Sequence, residues 1–93
     1  MKESYLQNYL IRALNLIPQT FAVNYSSNRE TGAGFPDVIC CHEGKFYGIE
    51  VKYGTRQAVM QRKWELRIEE AQGQYVLINT LEQAMSFVQD MME

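Results

Sequence analysis

Apolar residues recur with helical spacing at the start of the chain. Tyr5, Leu6, Tyr9, Leu10, Ala13, Leu14 and Ile17 fall on one stripe, which predicts a helix from about Ser4 to Leu16. Ser4 and Gln7 have the form of a capping box, and Pro18 stops the helix. Phe21, Val23 and Tyr25 then alternate, predicting a strand over Thr20 to Tyr25. The polar, Gly-rich tract from Ser26 to Gly34 reads as a loop. Two apolar runs follow between Gly34 and Lys52, separated by His42-Glu43-Gly44, the pattern of a β-hairpin. Tyr53-Gly54-Thr55 turns the chain, and Thr55 can cap a helix from about Arg56 to Ala71 that Gly73 ends. Its apolar side carries Gln57, Met60, Gln61, Trp64, Ile68 and Ala71. The run from Gln74 to Ile78 suits a strand buried on both faces. Thr80 and Gln83 form a second capping box. It opens a last helix whose buried stripe is Leu81, Ala84, Met85, Val88, Met91 and Met92. The order is α-β-β-β-α-β-α, an α/β fold in which an antiparallel meander is joined by a helical crossover to a fourth strand.

The hairpin fixes a register if its tip is Glu43-Gly44. His42 then faces Lys45, Cys41 faces Phe46, Ile39 faces Gly48 and Asp37 faces Glu50. Directly opposed side chains have Cβ atoms about 4.5–5.5 Å apart, and like charges there are destabilising. Two facing carboxylates therefore call for a cation. A divalent metal fits, since Mg²⁺ takes oxygen ligands and is often held by one or two carboxylates. Lys52 lies two residues beyond Glu50 on the same strand face and adds a positive charge beside them. The alternative is a solvated strand face with an acid at each strand end. A one-residue bulge would shift the register and separate the acids.

Composition narrows the class. Ninety-three residues, 46% of them hydrophobic and 22% charged, suit one globular domain over residues 1–93 rather than a disordered chain. No run approaches the roughly 20 apolar residues of a membrane span, and Met1 to Tyr5 lacks a signal-peptide core. Cys40 and Cys41 are adjacent, point to opposite faces of a strand and lack zinc-site spacing. They fit small core residues of a reduced, cytoplasmic protein. The formal net charge of −2 weighs against a broadly basic nucleic-acid binder. A local basic row remains, with Arg56, Lys63 and Arg67 beside the apolar stripe of the second helix. It either faces a polyanion or alternates with Glu65, Glu69 and Glu70 on a solvated face. Arg29 in the loop either contacts phosphate or is solvated. Glu3 either points along the buried stripe towards the sheet or is a terminal acid favoured by the helix dipole. His42, the only histidine, sits at the hairpin tip away from the acids. There is no Gly-rich phosphate loop.

Gly34-Phe35-Pro36-Asp37, then after twelve residues Glu50-Val51-Lys52, resembles the signature of PD-(D/E)XK nucleases. Gln61 and the later Ala71-Gln72-Gly73-Gln74-Tyr75-Val76 look like the VRR-NUC branch of that superfamily. The resemblance covers nearly the whole chain. It implies a restriction-endonuclease-like core with a mixed four-stranded sheet flanked by helices, and Mg²⁺- or Mn²⁺-dependent hydrolysis of DNA phosphodiesters. It implies that Asp37, Glu50 and the Val51 carbonyl bind metal, and that Lys52 orients or activates the attacking water. Gln61 would match the helix glutamine of the branch, and Glu3 the first-helix acid that supports a second metal. Small members of the branch resemble structure-specific endonucleases acting as homodimers on branched DNA such as four-way (Holliday) junctions. A DNA-binding module without turnover, and a protein-interaction module with the same fold, are the competing expectations.

Overall fold

The computed structural model describes residues 2–25, 34–52 and 59–93, with side chains in the last segment from residue 61 onward. The elements run α1 (Glu3–Asn15), β1 (Thr20–Asn24), β2 (Val38–His42), β3 (Lys45–Val51), α2 (Val59–Glu70), β4 (Gln74–Ile78) and α3 (Leu81–Met92). This is the expected order. The four strands form one mixed sheet in sequence order, β1-β2-β3-β4. β1 and β2, and β2 and β3, pair antiparallel; β3 and β4 pair parallel through the α2 crossover. Only β2 therefore runs against the other three.

The hairpin turns on the expected pair of residues. Glu43 and Gly44 take φ of 51° and 83°, the double left-handed geometry of a two-residue turn whose twist matches the strands. The ladder pairs His42 with Lys45, Cys41 with Phe46, Ile39 with Gly48 and Val38 with Ile49.

Strand alternation divides the side chains between two faces. On one, α1 and α3 cover Val38, Cys40, Ile49 and Val51. Leu6, Leu10, Leu14, Ile17, Ala84 and Val88 complete that core. Each fully buried aliphatic side chain there contributes about 1.5–3 kcal/mol, and together they fix α1 against the sheet. On the other face α2 lies over β3 and β4. Gly48 is what lets it come close: a Cβ there would meet Pro36 Cγ at 2.9 Å and Ile68 Cδ1 at 3.0 Å. The free edge of β1 is closed by a side chain. Asn15 Nδ2 donates to the Ala22 carbonyl at 2.9 Å, and its Oδ1 accepts from the Ala22 N–H at 3.0 Å. One amide thus substitutes for a neighbouring strand at the middle of an edge that would otherwise invite pairing.

Several local expectations are corrected. α1 starts at Glu3, so Ser4 lies inside it, and Lys2 at the cap position makes no side-chain capping bond. The apolar stripe begins there, but hydrogen bonding to the Lys2 carbonyl starts the helix earlier. Thr80 does cap α3, accepting from Gln83 N–H at 3.1 Å. Gln83 Oε1 instead accepts from Asn79 N–H at 2.6 Å, one residue earlier than a capping box requires. Met85 and Met92 are exposed, at 51% and 57%. Phe87 is packed instead, its ring 5.8 Å from that of Tyr47. A stripe drawn on hydrophobicity alone was wide enough to include both flanks of the helix, and only one flank meets α1. β4 is half-buried rather than covered on both faces, because it forms the sheet's edge. Ala71 is exposed just past the end of α2. The expected Thr55 cap and Gln57 lie outside the described residues.

Candidate active site

The acidic pair assembles where three chain segments converge. Pro36 is buried against Gly48, which sets where the chain enters β2. The next residue, Asp37, stands just outside the ladder and level with Glu50. Its carbonyl accepts from Tyr25 N–H at 2.8 Å, and its Oδ2 accepts from Val51 N–H at 3.0 Å. The carboxylate is thus tied to the C-terminal end of β3 while its backbone continues the pairing with β1. The expected opposition of Asp37 and Glu50 follows from the turn, and the Pro36–Gly48 contact adds an anchor that strand spacing does not reveal.

Glu50 is only 4% exposed. Gln61, itself buried on α2, donates from Nε2 to Glu50 Oε2. The other carboxylate oxygen, Oε1, is buried without a hydrogen-bond partner among the described residues. An orphaned buried carboxylate oxygen is costly unless a cation or a proton joins it. The electrostatics express the same demand. Burial first, then the charge of Asp37, pushes the Glu50 carboxyl up from 4.5 to about 8; Lys52 opposes the rise and Glu3 adds to it. Asp37 is also raised, by burial above all, against the lowering effect of its bond from Val51. Each carboxyl bears on the other: the charge of Asp37 adds to the rise of Glu50, so the pair favours a proton or a cation between its members.

Val51 and Lys52 project in opposite directions from the end of β3. The Lys52 N–H donates to the Ile78 carbonyl at 3.0 Å, and the Lys52 carbonyl accepts from Asn79 Nδ2 at 2.5 Å. Both bonds go towards β4. The preceding residue must then turn its peptide groups the other way, and its N–H does bond Asp37. The Val51 carbonyl accordingly faces the Asp37 side. Asn79 escaped the sequence reading. The signal available was its place at the end of a strand parallel to β3, directly beyond the Val51–Ile78 pair.

Glu3 is half-buried at the first turn of α1. α1 runs back along β1, so its N-terminus reaches the end of the sheet where Asp37 lies. Its charge acts on both members of the pair. Among the described residues no three His, Cys, Asp or Glu side chains group closely enough to hold a metal by themselves. A cation at this point would draw on Asp37, Glu50 and the Val51 carbonyl, an all-oxygen set suited to Mg²⁺ or Mn²⁺.

Of the basic row, Lys63 and Arg67 are exposed on α2; Arg29 and Arg56 lie outside the described residues. Arg62 is paired with Glu65 at 2.7 Å. Arg67 lies over the Trp64 ring, 4.6 Å from its centroid. Trp64 packs edge-on against Phe35 at 4.8 Å, and Phe35 against Tyr25 at 5.0 Å. The aromatic chain therefore braces α2 against the segment that delivers Asp37. His42 is confirmed at the far end of the hairpin, with Nδ1 2.6 Å from Thr20 Oγ1.

The cysteines are free, Cys40 buried and Cys41 half-buried, and no described helix is long and apolar enough to cross a membrane. Compared with models of known protein families and with curated proteins, the chain matches none.

Proposed function

We propose that this chain is a metal-dependent nuclease of the VRR-NUC type, with a PD-(D/E)XK core, hydrolysing DNA phosphodiester bonds. One observation carries the reading: a nearly fully buried Glu50 carboxylate keeps an unpartnered oxygen beside Asp37. Such an arrangement is unfavourable in the free protein and becomes favourable with a divalent cation. In this reading Asp37, Glu50 and the Val51 carbonyl hold Mg²⁺ or Mn²⁺, and Glu3 adds charge at the rim. When bound, the metal supplies charge neutralisation at the scissile phosphate and acidifies the attacking water. Lys52 follows the pair directly, and its charge already acts on both acids. It orients the water and faces the negative charge that grows on the phosphoryl oxygens. Gln61 holds Glu50 in place through Oε2, leaving Oε1 for the ligand. Lys63 and Arg67, with Arg29 and Arg56, supply phosphate contacts.

The substrate in this proposal is branched DNA such as a four-way junction, cut by a two-fold dimer that presents two sites to a two-fold substrate. Exposed Tyr5 and Leu16 on and just after α1, and Met85 and Met92 on α3, offer apolar surface for it. The competing readings are a DNA-binding module without turnover and a protein-interaction module with the same fold, the latter favoured by the net charge of −2. The test is incubation of single-stranded, duplex, flapped and four-way DNA with Mg²⁺ or Mn²⁺. Wild type is compared with Asp37→Ala, Glu50→Ala and Lys52→Ala, with light scattering on the same samples. Metal-dependent cleavage lost in all three variants supports the nuclease. Cleavage that survives them refutes the site, binding with no cleavage of any substrate favours the DNA-binding module, and neither binding nor cleavage favours the protein-interaction module. A monomer that cleaves junctions fully overturns the dimer.

A further inference from the structure

A second feature of α2 bears on what the proposed nuclease reads. A cleft of about 270 Å³ opens at the end of the sheet opposite the acidic pair, lined by Phe46, Trp64, Arg67, Ile68, Ala71 and Gly73. Its floor is apolar and partly aromatic. The small residues Ala71 and Gly73 keep one wall low. A side chain at Gly73 would crowd Ile68 Cγ2 at 3.0 Å and Phe46 Cδ1 at 3.1 Å. Over this floor the Arg67 guanidinium carbon lies 4.6 Å from the centroid of the Trp64 ring. It is exposed and forms no ion pair with a described acid; the nearest acidic neighbour on its helix face, Glu70, is not bonded to it. A guanidinium so placed offers a planar face for stacking and spare N–H donors for a phosphate or a base edge. Lys63, one turn earlier on α2, is also exposed and extends the positive charge towards the acids.

We propose that this cleft takes an unpaired nucleobase of a DNA strand, stacked against Arg67 and Trp64, whose phosphates pass Lys63 on the way to Asp37 and Glu50. The proposal rests on the nuclease reading for the identity of the strand. Spacing supports it. Gln61 and Ile68 bound the path along α2, about 10 Å at 1.5 Å per residue. Glu50 and Phe46 bound it along β3, about 13 Å at 3.3 Å per residue. That distance is about three to four steps of a stacked strand at ~3.4 Å each, and fewer nucleotides where the strand is unstacked. Aromatic stacking tolerates any base, so the cleft selects an unstacked nucleotide near the cut rather than a sequence. This matches a site that acts where duplex structure is interrupted.

Trp64 is the only tryptophan in the chain, so its fluorescence reports the cleft directly. The metal-free protein, which cannot cleave, is titrated with a short thymidine oligonucleotide and with the same oligonucleotide made abasic throughout. Saturable quenching by the first, at least tenfold weaker with the abasic strand, is expected. Arg67→Ala should weaken binding about tenfold. Ala71→Leu, which adds bulk to the cleft from an exposed position, should abolish the quenching. Equal quenching by the abasic strand, or unchanged quenching in both variants, overturns the base site; so does quenching that a second copy of the chain produces in the absence of DNA. The two readings separate cleanly. Quenching without any hydrolysis leaves the cleft and removes the nuclease. Hydrolysis by wild type that is indifferent to Arg67→Ala, to Ala71→Leu and to abasic flanks leaves the nuclease and removes the cleft.

Discussion

Glu50→Gln removes one charge from the acidic pair while keeping the side chain's shape and an oxygen to accept from Gln61. Its effect on the metal-free protein has a definite sign. The folded carboxyl titrates at about 8 against an ordinary 4.5. Between those values the native state holds a proton that the unfolded chain has released. Stability then falls as pH rises, by about 1.4 kcal/mol per pH unit for one proton. This contribution is complete below pH 4.5 and is lost as pH climbs through about 8. At pH 7 the wild type has lost on the order of 3 kcal/mol through this group, a large share of the roughly 5–15 kcal/mol that domains possess. Glutamine has no proton to lose. The two proteins should therefore be equally stable below pH 4.5, and the variant more stable by on the order of 3 kcal/mol at pH 7. The amide it places beside Asp37 adds a donor to that carboxylate. Urea unfolding of both proteins at a series of pH values, with chelator present, measures the difference as a shift in midpoint at equal slope. Mn²⁺ should reverse the order, stabilising wild type through mass action and leaving the variant unmoved. A variant no more stable than wild type at pH 7 without metal would refute the strained pair. A variant stabilised by Mn²⁺ as strongly as wild type would refute Glu50 as a ligand.

Gln61→Ala removes the donor to Glu50 Oε2; Mn²⁺ affinity by calorimetry should fall about 10- to 100-fold, as for other groups that orient metal ligands. Gly48→Ala places a Cβ 2.9 Å from Pro36 and 3.0 Å from Ile68; unfolding should show a loss of about 1–3 kcal/mol, and hydrolysis should suffer because both Pro36 and α2 are displaced. Asn15→Ala leaves the Ala22 N–H and carbonyl at the β1 edge without their partner; stability should drop by about 1–3 kcal/mol, and static light scattering should detect more association through the opened edge.

Local pattern carried the architecture because each element announces itself over a few residues. The α1 stripe, the alternation in β1 and the two-residue turn at Glu43-Gly44 are short-range facts. Period-two geometry converts the turn position into pairings several residues away, which is why the opposition of Asp37 and Glu50 was legible before any coordinates. Gln61 was legible too, since helical spacing puts it with Ile68 on the face turned to the sheet. What sequence could not settle depends on which neighbours an element meets. Met85, Met92 and Phe87 all have core chemistry, and only the angle at which α3 meets α1 sorts the exposed from the packed. The position of β4 at the edge, the plugging of β1 by Asn15 and the seating of Pro36 on Gly48 are contacts between distant segments. So is the bond from Asn79 to the Lys52 carbonyl. The charge state of the acidic pair belongs with them. Sequence can place two carboxylates face to face, but the rise of Glu50 to about 8 comes from burial under α2 first and then from the charges of Asp37 and Glu3 on two other segments. Desolvation is a property of the assembled volume, and no local pattern encodes it.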